Sequence, residues 1–134
     1  MGMYTEIYVK IEFKTNLPVE VVTALKWLNG EFGIDDEVTL PEHPFFKLPR
    51  ACMVLSCSSY YHQPRATCNL WFDDIHGGYY LCARADLKNY DGEIEAFFDW
   101  VKPYCASSAD RTFIGYHLYE EDNEPTLVYV EGDQ

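Results

Sequence analysis

From Tyr4 to Lys14 apolar and polar side chains alternate. Ile7, Val9, Ile11 and Phe13 fall on one side, and Glu6, Tyr8, Lys10, Glu12 and Lys14 fall on the other. A period of two is the mark of a strand with one face in a core and the other turned away from it. The chain must therefore build a sheet and cover one side of it. Its composition allows this: 48% of the 134 residues are hydrophobic and 16% are aromatic. That is about one domain's length and one bulky core. A disordered chain, a collagen-like fibre and a miniprotein held only by disulfides are excluded on the same grounds.

The cover comes from two helical segments. Pro18 suits a first helical turn, Val21, Val22, Leu25 and Leu28 form a stripe, and Asn29-Gly30 ends it. Ile94, Phe97, Phe98 and Val101 recur at i, i+3, i+4 and i+7 between an Asp91 cap and Pro103. Residues 31–50 read as irregular, pinned by Phe45, Phe46 and Leu48, and residues 51–56 read as a short buried strand. Thr67–Phe72 and Tyr79–Ala85 read as a hairpin around Asp73-Asp74 and Gly77-Gly78. Arg111–Glu120 and Thr126–Val130 are the last strands, joined by Asp122-Asn123-Glu124-Pro125. The order predicts one α+β domain over residues 1–134. It is a two-layer sandwich, an antiparallel sheet with both helices on one face. This is a ferredoxin-like split βαβ variant with an extra C-terminal hairpin strand.

Ten Lys and Arg stand against 22 Asp and Glu, a formal net charge of -12. Nucleic acid and anionic membranes call for a basic footprint, so neither is an expected partner. Glu120, Glu121, Asp122, Glu124, Glu131 and Asp133 crowd the C-terminal segment, and Asp35, Asp36 and Glu37 form a second cluster. Such runs are ordinarily solvated, but an acidic surface also attracts a basic protein groove. No apolar run reaches the ~20 residues needed to cross a bilayer. No basic-then-apolar leader is visible, so a cytoplasmic location is expected. The five cysteines, at 52, 57, 68, 82 and 105, include no C-x-x-C pair and read as reduced, mostly buried thiols.

Chemical motifs are sparse. Asp73 and His76 have metal-ligand chemistry but lie where a turn asks for Asp and Gly anyway. Cys57 with His62 or His117 would need a base in reach and an oxyanion site, and spacing shows neither. Glu93 and Asp99 read as solvent-facing helix carboxylates. There is no Walker loop, G-x-G-x-x-G or G-x-S-x-G, so no cofactor, metal or catalytic residue is expected.

Tyrosine is the distinctive residue, with eleven copies. Alternation sends Tyr4 and Tyr8 to the face opposite Ile7 and Val9. Joined by Tyr80 or Tyr116, they would form an aromatic patch rimmed by charge, and tyrosine is enriched at interfaces. The expected binding residues are therefore Tyr4, Tyr8, Tyr80 and Tyr116, with Glu120, Glu121 and Asp122 of the acidic hairpin.

The stretch from Asp86 to Trp100 (DLKNYDGEIEAFFDW), the opening Met3-Tyr4-Thr5-Glu6, the middle Ser59-Tyr60-Tyr61 and the closing Tyr119-Glu120-Glu121 with Glu124–Val128 resemble small uncharacterised bacterial and phage or prophage proteins. That family carries no assigned activity, so the resemblance implies a context and an accessory role but transfers no site. The expectation is a protein that binds another protein or itself, in its sharper form an inhibitor of a host factor. The competing class is a small-molecule binder or enzyme built on the 57–65 loop and the 73–78 turn.

Overall fold

The computed structural model describes residues 3–33, 35–59, 65–107 and 110–132. Among these residues five strands form one antiparallel sheet: β1 (Thr5–Glu12), β2 (Thr67–Asp73), β3 (Gly78–Leu87), β4 (Arg111–Tyr119) and β5 (Thr126–Glu131), in the order β2-β3-β1-β4-β5. Helix α1 (Val19–Leu28) follows β1, and α2 (Glu93–Val101) follows β3. The alternation in β1 is realised as drawn from sequence. Ile7, Val9, Ile11 and Phe13 are buried, and their neighbours Ala85, Ala83 and Leu81 on β3 extend the same apolar face.

Both helices bury into this one cluster. Val21, Ala24, Leu25 and Leu28 of α1 and Ile94, Phe97, Phe98, Trp100 and Val101 of α2 join the inward strand residues. Burying a large aliphatic or aromatic side chain is worth about 1.5–3 kcal/mol. The aromatic part is dense: Phe45 lies edge-on to Phe97 at 5.7 Å and stacks with Trp100 at 6.2 Å. Phe45 belongs to a 3₁₀ turn, Pro44–Lys47, whose His43 accepts the Phe45 N–H on Nδ1 at 3.1 Å.

Three local readings are corrected. Residues 51–56 are not a strand: Ala51–Met53 is a 3₁₀ turn, followed by further turn residues. The buried positions Ala51, Val54 and Leu55 are spaced by three and four, a helical interval that overrides the apolar run. Asp91 does not cap α2. Gly92 occupies the cap with φ 76°, and the Asn89 side chain accepts the Ile94 N–H at 2.8 Å. Glu93 is not solvent-facing but fully buried, accepting the backbone N–H of Arg50 and of Asp91, each at 3.1 Å, with the Arg50 guanidinium 3.7 Å away. Asp99, by contrast, is exposed and 3.0 Å from His43 Nε2.

Candidate binding face of the sheet

The face opposite the helices is built by the other parity of each strand. Register sets its rows: Trp71, Tyr80 and Glu12 lie side by side across β2, β3 and β1, while Arg84, Tyr8, Tyr116 and Leu127 lie side by side across β3, β1, β4 and β5. Trp71 stacks on Tyr80 with centroids 5.3 Å apart, Tyr8 on Tyr116 at 5.3 Å, and Phe113 meets Tyr129 edge-on at 5.9 Å. Arg111 covers the Tyr129 ring at 4.1 Å. Offset and edge contacts of this kind add about 0.5–1.5 kcal/mol each beyond area burial.

A groove opens between these rows. β1 and β4 pair only from Thr5↔Tyr119 to Val9↔Gly115, and the β4–β5 register shifts between Phe113 and Gly115. A bulge bends its strand, so Thr112–Ile114 part from Lys10–Glu12. Ala106 and Ser107 enter the gap, with the Ala106 N–H donating to the Glu12 carbonyl at 2.8 Å. The resulting cavity is about 630 Å³, walled by Tyr8, Tyr80, Trp71 and Phe113, with Lys10 and Glu12 among its polar groups. Beside it, Arg84 donates from Nε to Glu6 and from Nη1 and Nη2 to the two oxygens of buried Asp86 at 2.9 and 3.0 Å. The Tyr116 hydroxyl donates to Glu6 at 3.2 Å.

Two hydroxyls on this face, those of Tyr80 and Tyr116, are partly desolvated and have carboxylates nearby. Desolvation first, and then the Glu12 and Asp73 carboxylates, push Tyr80 above the usual phenol range. Desolvation and Glu6 do the same to Tyr116. Both phenols thus remain neutral donors well above neutral pH.

Of the residues singled out from sequence, Tyr8 and Tyr80 line the groove, and Tyr116 stacks on Tyr8 beside it. Tyr4 is elsewhere. Its N–H donates to Glu120 at 2.5 Å, its carbonyl accepts the Glu120 N–H at 3.1 Å, and Lys88 lies over its ring at 5.6 Å. Glu120 is therefore half-buried and engaged at the end of the sheet, while Glu121 and Asp122 are exposed in the β4–β5 turn. None of these acidic residues lines the groove. Trp71, Phe113 and Leu127 also belong to this face, beyond the residues expected from sequence. Their signal was parity: each is an apolar residue at a strand position whose neighbours two away include polar or exposed groups.

The Asp73 side chain accepts the Ile75 N–H at 2.9 Å and its carbonyl accepts the Gly77 N–H at 2.7 Å, so turn formation accounts for it; His76 is 3.9 Å away. Among the described residues no three His, Cys, Asp or Glu side chains converge on a common point. Burial, then Asp86, raises the Cys57 thiol, the direction opposite to an activated nucleophile. The five cysteines are unpaired, but only Cys105 is buried; Cys52 is exposed and Cys57, Cys68 and Cys82 are half-buried, Cys68 because β2 is an edge strand and Cys82 because it projects to the face opposite the helices. Tyr60, Tyr61, His62 and Asp133 lie outside the described residues. Also among the described residues, no helix is long and apolar enough to cross a membrane. No family model, no curated protein and no solved structure matches the chain.

Proposed function

We propose that this protein acts by binding a protein partner across the aromatic face of its sheet, as a phage or prophage accessory protein in a bacterial cytoplasm whose binding inhibits a host factor. The observation that carries the reading is the groove itself: a cavity of about 630 Å³ walled by Tyr8, Tyr80, Trp71 and Phe113. Interfaces draw their energy from tyrosine and tryptophan anchors packed at their centre, and this cavity admits a bulky side chain of a partner. The net charge of -12 favours a basic partner, steered in by the acidic turn at Glu121 and Asp122. We read the architecture as a ferredoxin-like split βαβ variant extended by β5, a reading that the order β2-β3-β1-β4-β5 supports.

A second reading has one observation in its favour. The cavity volume falls within the ~300–1,000 Å³ of small-molecule sites. The 73–78 turn does not line it, so a small ligand would sit on the aromatic face instead.

The experiment is capture from bacterial extract followed by titration of the purified partner, using wild type, Tyr80→Ala, Phe113→Ala and a charge reversal at Glu121 and Asp122. Groove variants should abolish capture at any salt. The reversed turn should weaken it at low salt and matter little at high salt. Capture unchanged in both groove variants rejects the reading.

A further inference from the structure

We infer that the outer edge of β2 pairs with the same strand of a second copy of this chain, antiparallel about a dyad at Asn69. This inference is independent of what the groove binds. Among the described residues β2 ends the sheet, next to β3 alone. The free backbone groups can be assigned. Phe72 faces Tyr79 in the register, and the Tyr79 carbonyl is turned away from β2 to accept the Phe13 N–H at 3.0 Å. Phe72 and Tyr79 are thus a pair without mutual hydrogen bonds, and by alternation Cys68, Leu70 and Phe72 turn their N–H and C=O outward. The Ala66 N–H follows the same parity and is met by Ser58 Oγ at 2.9 Å.

Natural edges are protected by charge, proline or cover. Among the described residues this one is covered only at Ala66, by Ser58: residues 66–72 carry no charge and no proline, and Trp71 and Phe72 stand 51% and 47% exposed, with Ile75 beyond them at 90%. The charges that bound the stretch select the partner. A dyad at Asn69 sets Cys68 of one copy against Leu70 of the other, both with outward backbone groups, and brings Arg65 against Asp73 of the second copy at each end. The segment is complementary to itself. The opposite edge is not, because from Leu118 to Gln134 the chain carries carboxylates and no Lys or Arg. Pairing β5 with itself would oppose like charges. The β2 pairing would continue one sheet through both copies and put their two grooves on the same face.

Sedimentation velocity and light scattering on the full chain, from low micromolar to near-millimolar concentration, test this. Wild type should reach twice the chain mass. Asn69→Asp, which sets two carboxylates together on the dyad, and Arg65→Asp, which sets like charges at both ends, should each raise the dimer Kd by at least about ten-fold. Lys47→Asp makes the same change of net charge as Arg65→Asp, away from the edge, and should leave Kd unchanged. Thermal melts of each variant separate lost pairing from lost folding. A wild type that stays monomeric throughout overturns the inference. So does a dimer that survives both edge substitutions, or one that Lys47→Asp weakens equally.

Discussion

Arg84 holds Asp86, two residues further along the same strand, through a two-pronged contact at 2.9 and 3.0 Å while its Nε reaches Glu6 on β1. Asp86 is fully buried and the Arg84 side chain only 13% exposed, so neither charge can turn to bulk water for compensation. Removing one member of such a pair leaves the other desolvated, at a cost of about 3–5 kcal/mol. Arg84→Ala should therefore lose that much in urea unfolding. Arg84→Ala combined with Asp86→Asn should recover part of it, because the stranded charge is gone. A double variant no more stable than the single would mean that side-chain packing, not charge, is what Arg84 supplies.

Gly115 marks the point where β4 leaves β1. A Cβ at this position would overlap the Tyr8 carbonyl oxygen and lie 3.3 Å from Phe98 Cζ. The nearest obstacle is backbone, which cannot rotate aside. Gly115→Ala must shift one strand against the other and should cost about 2–4 kcal/mol, in the range of overpacked core sites. The same shift moves the groove wall, so partner affinity should fall together with stability. A variant as stable as wild type would mean that the two strands approach less closely.

Trp71 is the exposed indole of the three tryptophans; Trp100 is buried and Trp27 half-buried. Its stack on Tyr80 puts it at the mouth of the groove. Acrylamide should quench its emission readily, and Trp71→Phe should leave a spectrum shifted to the blue and poorly quenched. Occupancy of the groove should protect the wild-type signal and leave the Trp71→Phe signal unchanged. If a saturating partner alters both proteins alike, it binds somewhere else.

Much of this architecture was legible in local pattern. The period of two in residues 4–14 and the i, i+3, i+4, i+7 stripe of α2 each report one buried face, and burial is what the structure then shows. The failures share a physical origin. Ala51–Leu55 is an apolar run too short for its period to stand out by eye, and only the spacing of Ala51, Val54 and Leu55 separates turn from strand. Glu93 looked solvated because a carboxylate at a helix start ordinarily is; that Arg50, 43 residues earlier in the chain, would supply an N–H and a guanidinium is tertiary information. The groove depends on strand register and on a bulge. Alternation could place Tyr8 and Tyr80 on a face, but it could not say that Tyr4 would be drawn to Glu120 at the far end or that Trp71 and Phe113 would complete the wall.

The cysteines give a stability profile that runs one way with pH. Burial pushes the Cys105 thiol up to about 12, against the pull of Lys14 and Lys102, and pushes Cys68 up to about 11, with Cys82 and Glu31 adding to it. In the unfolded chain both thiols ionise near 9.0. The folded state therefore binds protons that the unfolded state releases. The stabilisation is complete below pH 9 and is lost as pH climbs from 9 towards 11 for Cys68 and towards 12 for Cys105. Cys105→Ala forfeits the packing of a buried side chain whose Sγ donates to the Val101 carbonyl at 3.4 Å, so it should be less stable at neutral pH. Its deficit should then shrink above pH 9, by up to about 1.4 kcal/mol per pH unit, the slope of one proton. Thiol labelling checks the same ordering at fixed pH: exposed Cys52 should react within the mixing time and Cys105 only on unfolding. A deficit that stays constant from pH 7 to pH 11 would show that Cys105 ionises alike in the folded and unfolded chain, and that burial is not what governs its proton.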